Sequence, residues 1–500
     1  MTYDFLITTD RSMMTNHHGL EFIGFMTTGP AYEFPEVIWN WICMPKMKVD
    51  YEGKPREAPY GLRKIEASLI NAGFKAAIID PDHIGKHVDS AKAIFIGHHD
   101  YFALGPPSSQ WRIITKKEPV NAKSFRHFME GEAMRRVRKR GIKTVVGGPA
   151  AWQWLWKPDL IDEWKINTII DGEAEKFIID IAEKILDGED LPLYVYVGPK
   201  DTPKLEEIPT IKAPSVNGLI EIMRGCPRNC KFCSVTLRPL RTYTFEMVEK
   251  ELEVNERAGI TGGVIHAEDV LLYGARGIKP EPDPLIKLHK LIKKHYRNLA
   301  WSHCSLAAVK YAEDNYKLIS RLTEIIEQDQ DYMGVEVGIE TGSPRLAKKV
   351  MPAKSAPYPT EKWPEVVEDA FRILHEKVII PAATLIVGLP GETEEDIVKT
   401  TELVERLKSY RSLIIPMYFV PMGAFKNKHW YREERMKDAY RELAVTCLKH
   451  CFYWADEIMS KFYIKSLHML PVKILLKILL ITYRKKTGHI TRKLVRKVEL

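Results

Sequence analysis

Short apolar runs alternate along the first half of the chain with longer stretches whose apolar residues recur every three or four positions. The short runs predict strands and the periodic stretches predict helices. Residues 60–72 read as a helix closed by Gly73, and 75–79 as a strand. Ala93-Ile-Phe-Ile-Gly97 is a second strand, and 130–140 a helix closed by Gly141. Thr144-Val-Val-Gly-Gly148 and residues 167–171 follow as strands, then a helix over 174–186. This alternation predicts a parallel, doubly wound sheet over 56–195. Ligands of such sheets lie beyond the carboxyl ends of the strands, where Gly97, Gly147, Gly148 and Asp171-Gly-Glu173 fall. Residues 1–55 read as an extension ahead of this domain. The stretch 190–217, with Pro192, Pro199, Pro203, Pro209 and Pro214, reads as a linker whose core is 196–217.

A second run of strand–helix units follows over 218–425. The expected strands are 218–223, 263–266, 299–303, 333–338, 382–387 and 412–419, with helices near 244–258, 283–295, 314–327, 364–376 and 392–408. Six such units make a partial (β/α)6 barrel. A helical region over 426–463 leads into a tail, 464–500, in which Leu, Ile and Val surround Lys473 and Lys477. The fold class is therefore α/β, with a doubly wound domain, a partial barrel and a helical C-terminal region.

Composition changes this picture in one place. The 500 residues are 45% hydrophobic and 28% charged, which is globular, and the seven cysteines are too sparse for a disulfide scaffold. The net charge of +8 is not spread evenly. Residues 464–500 hold ten of the 74 Lys and Arg but one of the 66 Asp and Glu, a local excess of +9 that leaves the rest at −1. No export signal or long uninterrupted apolar segment is visible, so the expected location is cytoplasmic. The tail reads as an amphipathic helix drawn to anionic headgroups, making the chain peripherally membrane-associated. A core helix with a solvated end is the plain alternative. A nucleic-acid partner is disfavoured, because the tail is greasy and has no aromatic interleaving beyond Tyr483.

The most informative residues are Arg224-Gly-Cys226-Pro-Arg-Asn-Cys230-Lys-Phe-Cys233, on the loop after the first strand of the second domain. Three thiolates at this spacing can hold three irons of a cubane cluster and leave the fourth open for chemistry. A zinc knuckle would want a fourth Cys or His in the loop, and none is there. The triplet, with Phe232 before its last cysteine, resembles that of the radical S-adenosylmethionine (SAM) superfamily. Downstream segments agree in order: Gly262-Gly263 and Glu268-Asp269, then Val337-Gly-Ile-Glu340-Thr-Gly-Ser343, then Leu385-Ile-Val-Gly388-Leu-Pro-Gly. The resemblance implies a [4Fe-4S] cluster on Cys226, Cys230 and Cys233 and SAM as its partner cofactor. It places Phe232 and Gly388 near adenine, Gly263, Glu268 and Asp269 near the methionine amino group, and Glu340 and Ser343 near the ribose. It also implies an electron donor outside the chain and hydrogen abstraction by a 5′-deoxyadenosyl radical.

Val145-Val-Gly-Gly-Pro-Ala150 and Ile169-Ile-Asp-Gly-Glu-Ala-Glu175 resemble the cobalamin-binding domain that precedes many radical SAM domains. The usual D-x-H-x-x-G loop is missing; Asp80-Pro-Asp-His83-Ile-Gly85 has its residue types at another spacing. Cobalamin is therefore a possible rather than an established cofactor. Cys447 and Cys451 share a helix face and read as buried thiols. The segments 6–14 and 59–66 resemble an archaeal group of these proteins that modifies tetraether membrane lipids. That likeness implies a membrane lipid substrate and carbon–carbon bond formation, either as cyclopentane rings in the chains or as a calditol-type headgroup. The alternatives are a cobalamin-dependent radical SAM methyltransferase and an RNA methylthiotransferase.

Overall fold

The computed structural model describes residues 2–31, 35–429 and 438–498, with the side chains of all but 21, 424, 468 and 486–498. Contacts divide the chain into two compact units. The first comprises Met1–Gly225, Leu237–His266 and Leu291–Asn298; the second comprises Cys226–Thr236, Ala267–Lys290 and Leu299–Leu500.

The first unit is built on six parallel strands: β1 Phe5–Thr8, β2 Ala76–Ile78, β3 Ala93–Gly97, β4 Lys143–Gly147, β5 Thr168–Asp171 and β6 Tyr194–Tyr196. Their order is β2-β1-β3-β4-β5-β6. Alternate residues of each strand enter different cores. Leu6, Ile94, Ile96, Val146 and Ile169 pack with Phe125 and Trp154, whereas Phe5, Ile7, Phe95, Val145 and Ile170 pack with Ile178 and Ile181. Both faces are covered, which explains why the strands read as continuous apolar runs rather than alternating ones.

Two expectations are corrected here. Residues 1–55 are more than an extension, because Phe5–Thr8 pairs with both β2 and β3 inside the sheet. Four residues with every side chain buried carry no periodicity to read. The proline-rich stretch also contributes a strand, since Tyr194–Tyr196 pairs with β5 at the sheet edge. Because β2 lies on one side of β1 and β3 on the other, the strand order reverses between β1 and β3. That switch point is the ligand crevice of doubly wound sheets.

Four further strands complete the first unit's pairings: β7 Ile220–Glu221, β8 Met223–Arg224, β9 Arg241–Thr242 and β10 Gly262–His266. Ile220 pairs with Ile265 in parallel, and Arg224 faces Arg241 in a short antiparallel pair. Gly263 belongs here. A Cβ at Gly263 would lie 2.2 Å from the Gly218 carbonyl and 2.6 Å from the Tyr296 ring, so close strand packing explains this glycine. The helices Tyr60–Asn71 and Phe245–Arg257 are joined by a buried ion pair, Lys64 to Glu251 at 2.5 Å. Glu251 also accepts from the Tyr60 hydroxyl at 2.7 Å and the Ile211 amide at 3.3 Å.

β11 Asn298–Trp301 leads into the last stretch of the second unit, whose parallel sheet is β12 Met333–Glu340, β13 Ile379–Val387 and β14 Leu413–Tyr418. Helices 306–316, 318–326, 363–376 and 394–406 intervene, as the βα pattern requires. The single helix expected over 314–327 is two, Leu306–Tyr316 and Leu318–Ile326, broken at Lys317 with φ 50°. The expected helical region is described as Asp438–Glu457 and a wider turn over Ile458–Tyr463; residues 430–437 lie outside the described residues. Among the described residues, no helix is long and apolar enough to cross a membrane.

Removing one partner of a buried ion pair strands the other charge, which costs about 3–5 kcal/mol. Lys64→Met should therefore lower unfolding stability by about 3 kcal/mol in urea titration, and Lys64→Met with Glu251→Gln should recover part of it. Equal stability of the wild type and the single variant would show that the pair is not structural.

Candidate functional site: the cysteine loop and its charged surroundings

The cysteine loop, Cys226–Thr236, lies in the second unit and is held by its own backbone and by buried charge. Asn229 takes φ 50°, turning the chain between the first two thiols. The Cys233 amide donates to the Cys230 carbonyl at 3.1 Å, and the Thr236 hydroxyl donates to the Cys233 carbonyl at 2.9 Å. The Lys231 amide donates to Val350 at 2.9 Å. Gly423 closes the loop from outside: its φ is +59°, and a Cβ there would meet the Cys233 carbonyl at 2.6 Å.

Arg228, within the triplet, is the anchor. It is buried, and its Nε donates to Asp269 Oδ2 at 3.2 Å. Its Nη1 donates to the carbonyls of Lys354 at 3.1 Å and Ala356 at 3.2 Å. Asp269 Oδ1 accepts from the Ser305 amide at 3.2 Å. The expected contact of Asp269 with a methionine amino group thus gives way to a structural one, with both oxygens engaged in fixing the loop.

The thiols are buried, and that burial raises their pKa values: Cys226 to about 11, Cys230 to about 12, and Cys233 upward with help from the Glu268 carboxylate. Raised in this way they hold their protons, and ligation of iron would require each to give its proton up. Among the described residues no three His, Cys, Asp or Glu side chains are gathered for a single metal ion. Three thiols on one loop are the donor set for three irons of a cluster whose fourth iron is open.

Lys354 faces these thiols. Burial opposes its charge, yet Glu340 and the neighbouring Cys230 hold its pKa above the ordinary value. It pairs with Glu340, which takes φ 61° at an irregular point in the β12 register. A strained, non-glycine residue at such a point is a mark of functional sites, and Glu340 lies beside Cys230 of the cysteine loop. Gly338 makes room for the pair, since a Cβ there would lie 2.0 Å from Glu340 Oε1. His303 lies nearby. Burial disfavours its charge, but Glu336 at 3.1 Å and the Glu268 carboxylate raise its pKa. Phe232 is buried in the loop.

Two other expected contacts are used elsewhere. The Ser343 hydroxyl donates to Asp396 at 2.5 Å and accepts from the Leu346 amide at 3.3 Å, capping the helix Pro344–Val350. Gly388, with φ +85°, donates its amide to Glu392 at 2.6 Å at the end of β13. Lys354, Arg228 and His303 were not singled out from the sequence. Arg228 had a signal inside the triplet, whereas Lys354 and His303 stand in no pattern.

In the first unit, Asp10 follows β1 and His98 follows β3, and they meet at 2.8 Å, both buried. The Tyr101 hydroxyl donates to the Gly147 carbonyl at 2.6 Å and accepts from the Gly147 amide at 3.1 Å. The Thr9 and Ser109 hydroxyls, in segments leaving β1 and β3, are buried without a partner among the described residues. His83, the residue nearest to the usual cobalamin motif, faces Asp80 at 3.4 Å.

Residues 220–404 match the radical SAM superfamily. The chain carries a radical SAM domain. Proteins of this superfamily use a [4Fe-4S] cluster and SAM, and the cysteine loop has the donor set for the cluster. The chain is 27% identical over 212 residues to the tRNA-2-methylthio-N(6)-dimethylallyladenosine synthase of Syntrophomonas wolfei, covering 41% of this chain and 43% of that one. It is 24% identical over 296 residues to a probable threonylcarbamoyladenosine tRNA methylthiotransferase of Pyrococcus horikoshii, covering 58% and 65%. It thus spans about half the length of the curated relatives it matches. The radical SAM methyltransferase TsrM of Kitasatospora setae, solved with cobalamin and a [4Fe-4S] cluster, superposes with TM-score 0.54 over 84% of this chain and 76% of its own. At 14% identity that correspondence is one of fold, and it bears out the expected α/β architecture.

Glu392 offers a test of the β13 end. Burial lifts its pKa from 4.5 to about 7, against the opposing donors Gly388 and Tyr440. Between those values the folded chain holds the proton more tightly than the unfolded chain, so stability is greatest at the acid end and declines as pH rises toward about 7. Glu392→Gln should flatten this decline in melting temperature between pH 5 and 8. An unchanged slope would place the titration elsewhere.

Proposed function

We propose that this chain is a radical SAM methyltransferase of the cobalamin-domain architecture. The observation that carries the reading is the fold likeness to TsrM, which covers 84% of this chain. The donor set of the cysteine loop supports it: three thiols for a cluster. The cluster, when bound, supplies one electron to SAM, and cobalamin, when bound, relays a methyl group. An external electron donor is required.

The chain's own residues hold this chemistry in place. Cys226, Cys230 and Cys233 bind iron and give up their protons as they do so. Arg228 locks the loop through Asp269. Lys354 keeps a positive charge beside the thiols, where it offsets thiolate charge and suits the SAM carboxylate, and Glu340 suits the ribose. Burial around the loop excludes water and stray hydrogen donors.

This reading replaces lipid modification as the first choice. The relatives described above transfer methylthio groups, and the matched fold is that of a methyltransferase. Hydrogen abstraction with carbon–carbon bond formation on a membrane tetraether lipid remains a second reading, favoured by the exposed apolar face of the C-terminal helix. Methylthio transfer to RNA needs a further sulfur source.

The test is anaerobic turnover of the reconstituted chain with methyl-labelled SAM and reductant, with and without added cobalamin. Methyl transfer predicts S-adenosylhomocysteine and label in the product. Replacing any one of the three cysteines with Ala should lower turnover at least about a hundredfold, since each is an iron ligand. Release of 5′-deoxyadenosine alone, with all label left in methionine, would overturn the reading in favour of hydrogen abstraction.

A further inference from the structure

The C-terminal helix Leu470–Val498 is apolar on two opposite faces of its first three turns. On one face Val472 and Leu479 are buried, 1% and 6% exposed. On the other, Leu470, Ile474, Ile478 and Ile481 are 47%, 50%, 47% and 52% exposed. Their spacing of four, four and three residues puts them in one stripe. Leu467, just ahead of the helix, is 86% exposed. A helix apolar all round belongs in a core or against lipid, and here the protein covers only one side. The helix is not of the kind that crosses a bilayer.

Charge identifies the missing cover. Residues 464–500 carry ten Lys and Arg against a single acidic residue. Lys473 and Lys477 are on the same turns as the stripe. Lys473 donates back to the Ser460 and Ile464 carbonyls, and Lys477 sits 3.4 Å from Asp456. The basic groups at 486, 492, 493, 496 and 497 have side chains outside the described residues, but their charge is part of the same segment. A second copy of the chain would bring two such basic segments together and be repelled. An anionic bilayer offers an apolar interior to the stripe and negative headgroups to the lysines and arginines.

We propose that this stripe is an interfacial helix that lays the protein on an anionic lipid surface. The inference goes beyond the methyl-transfer reading and holds whether or not that reading survives. Each cation near such a surface adds an attraction that falls away within a Debye length.

The experiment is co-sedimentation of the full chain with phosphatidylcholine vesicles, with and without phosphatidylglycerol as a third of the lipid. The wild type should pellet with the anionic vesicles at about 0.1 M salt and be released toward 1 M, where the Debye length falls to about 3 Å. Ile474→Asn with Ile478→Asn, at exposed positions, should cut the pelleted fraction at least about tenfold. Iron content, melting temperature and SAM cleavage should stay unchanged, which separates loss of docking from loss of folding. Equal pelleting of wild type and variant, or equal binding to neutral vesicles, would overturn the proposal. So would a dimer in light scattering that the double variant dissociates, or RNA binding in place of vesicle binding.

Discussion

One arginine, clamped among carboxylates, sets the entrance to the chemistry. Arg224 stands two residues before Cys226 and reaches Glu221 at 2.9 Å, Glu173 at 2.8 Å and Glu175 at 2.7 Å. Arg241, its antiparallel neighbour, takes the other oxygen of Glu173 at 2.5 Å, and the Tyr243 hydroxyl donates to Glu221 at 2.5 Å. Desolvating a carboxylate or guanidinium costs several kcal/mol per ion. Burial therefore opposes every charge in the set, and only the assembled group offsets it. The net result holds Glu173 and Glu221 below the ordinary carboxylate range and Arg224 above its own. Because Glu173 and Glu175 belong to the loop after β5, this network ties the carboxyl end of the N-terminal sheet to the segment that enters the cysteine loop.

The same device recurs in the second unit on a smaller scale. Arg228 with Asp269, and Lys354 with Glu340, are buried pairs whose cations lie beside thiols. A cluster on three thiolates brings negative charge into a dry site, and a fixed cation nearby lowers that electrostatic cost. Neutral, buried thiols couple iron binding to proton release, so assembly of the site and its charge balance are one event. Positive charge thus serves two separate ends in this molecule. Inside, it is paired and immobile; in the last 37 residues ten Lys and Arg stand among apolar residues.

The cysteine spacing and the βα rhythm were legible because both are local. Iron ligation needs three thiols within one loop, and a strand buried on both faces needs a continuous apolar run. The Glu340 position was legible for a related reason, since a short motif accompanies it. By contrast, β1 and β6 were missed because β1 lies in a stretch with no following helix close by to give the strand–helix rhythm, and β6 lies in a proline-rich stretch that reads as linker. The break at Lys317 was missed because apolar periodicity runs on through a single residue in the left-handed region.

What the amino-acid order determined by itself is the three-cysteine loop, the parallel α/β class and the basic, apolar character of the last 37 residues. What only the tertiary structure decided is which polar groups are free. Asp269 and Ser343 look like cofactor contacts in sequence, yet folding commits them to Arg228 and to a helix cap. Lys354 looks like any surface lysine, yet folding buries it against Glu340 beside the thiols. The stripe at Leu470, Ile474, Ile478 and Ile481 looks like half of a core helix, yet folding leaves it uncovered. The reason is common to all of them: whether a side chain is available depends on partners far away in the chain, and burial, not residue type, decides its charge and its use.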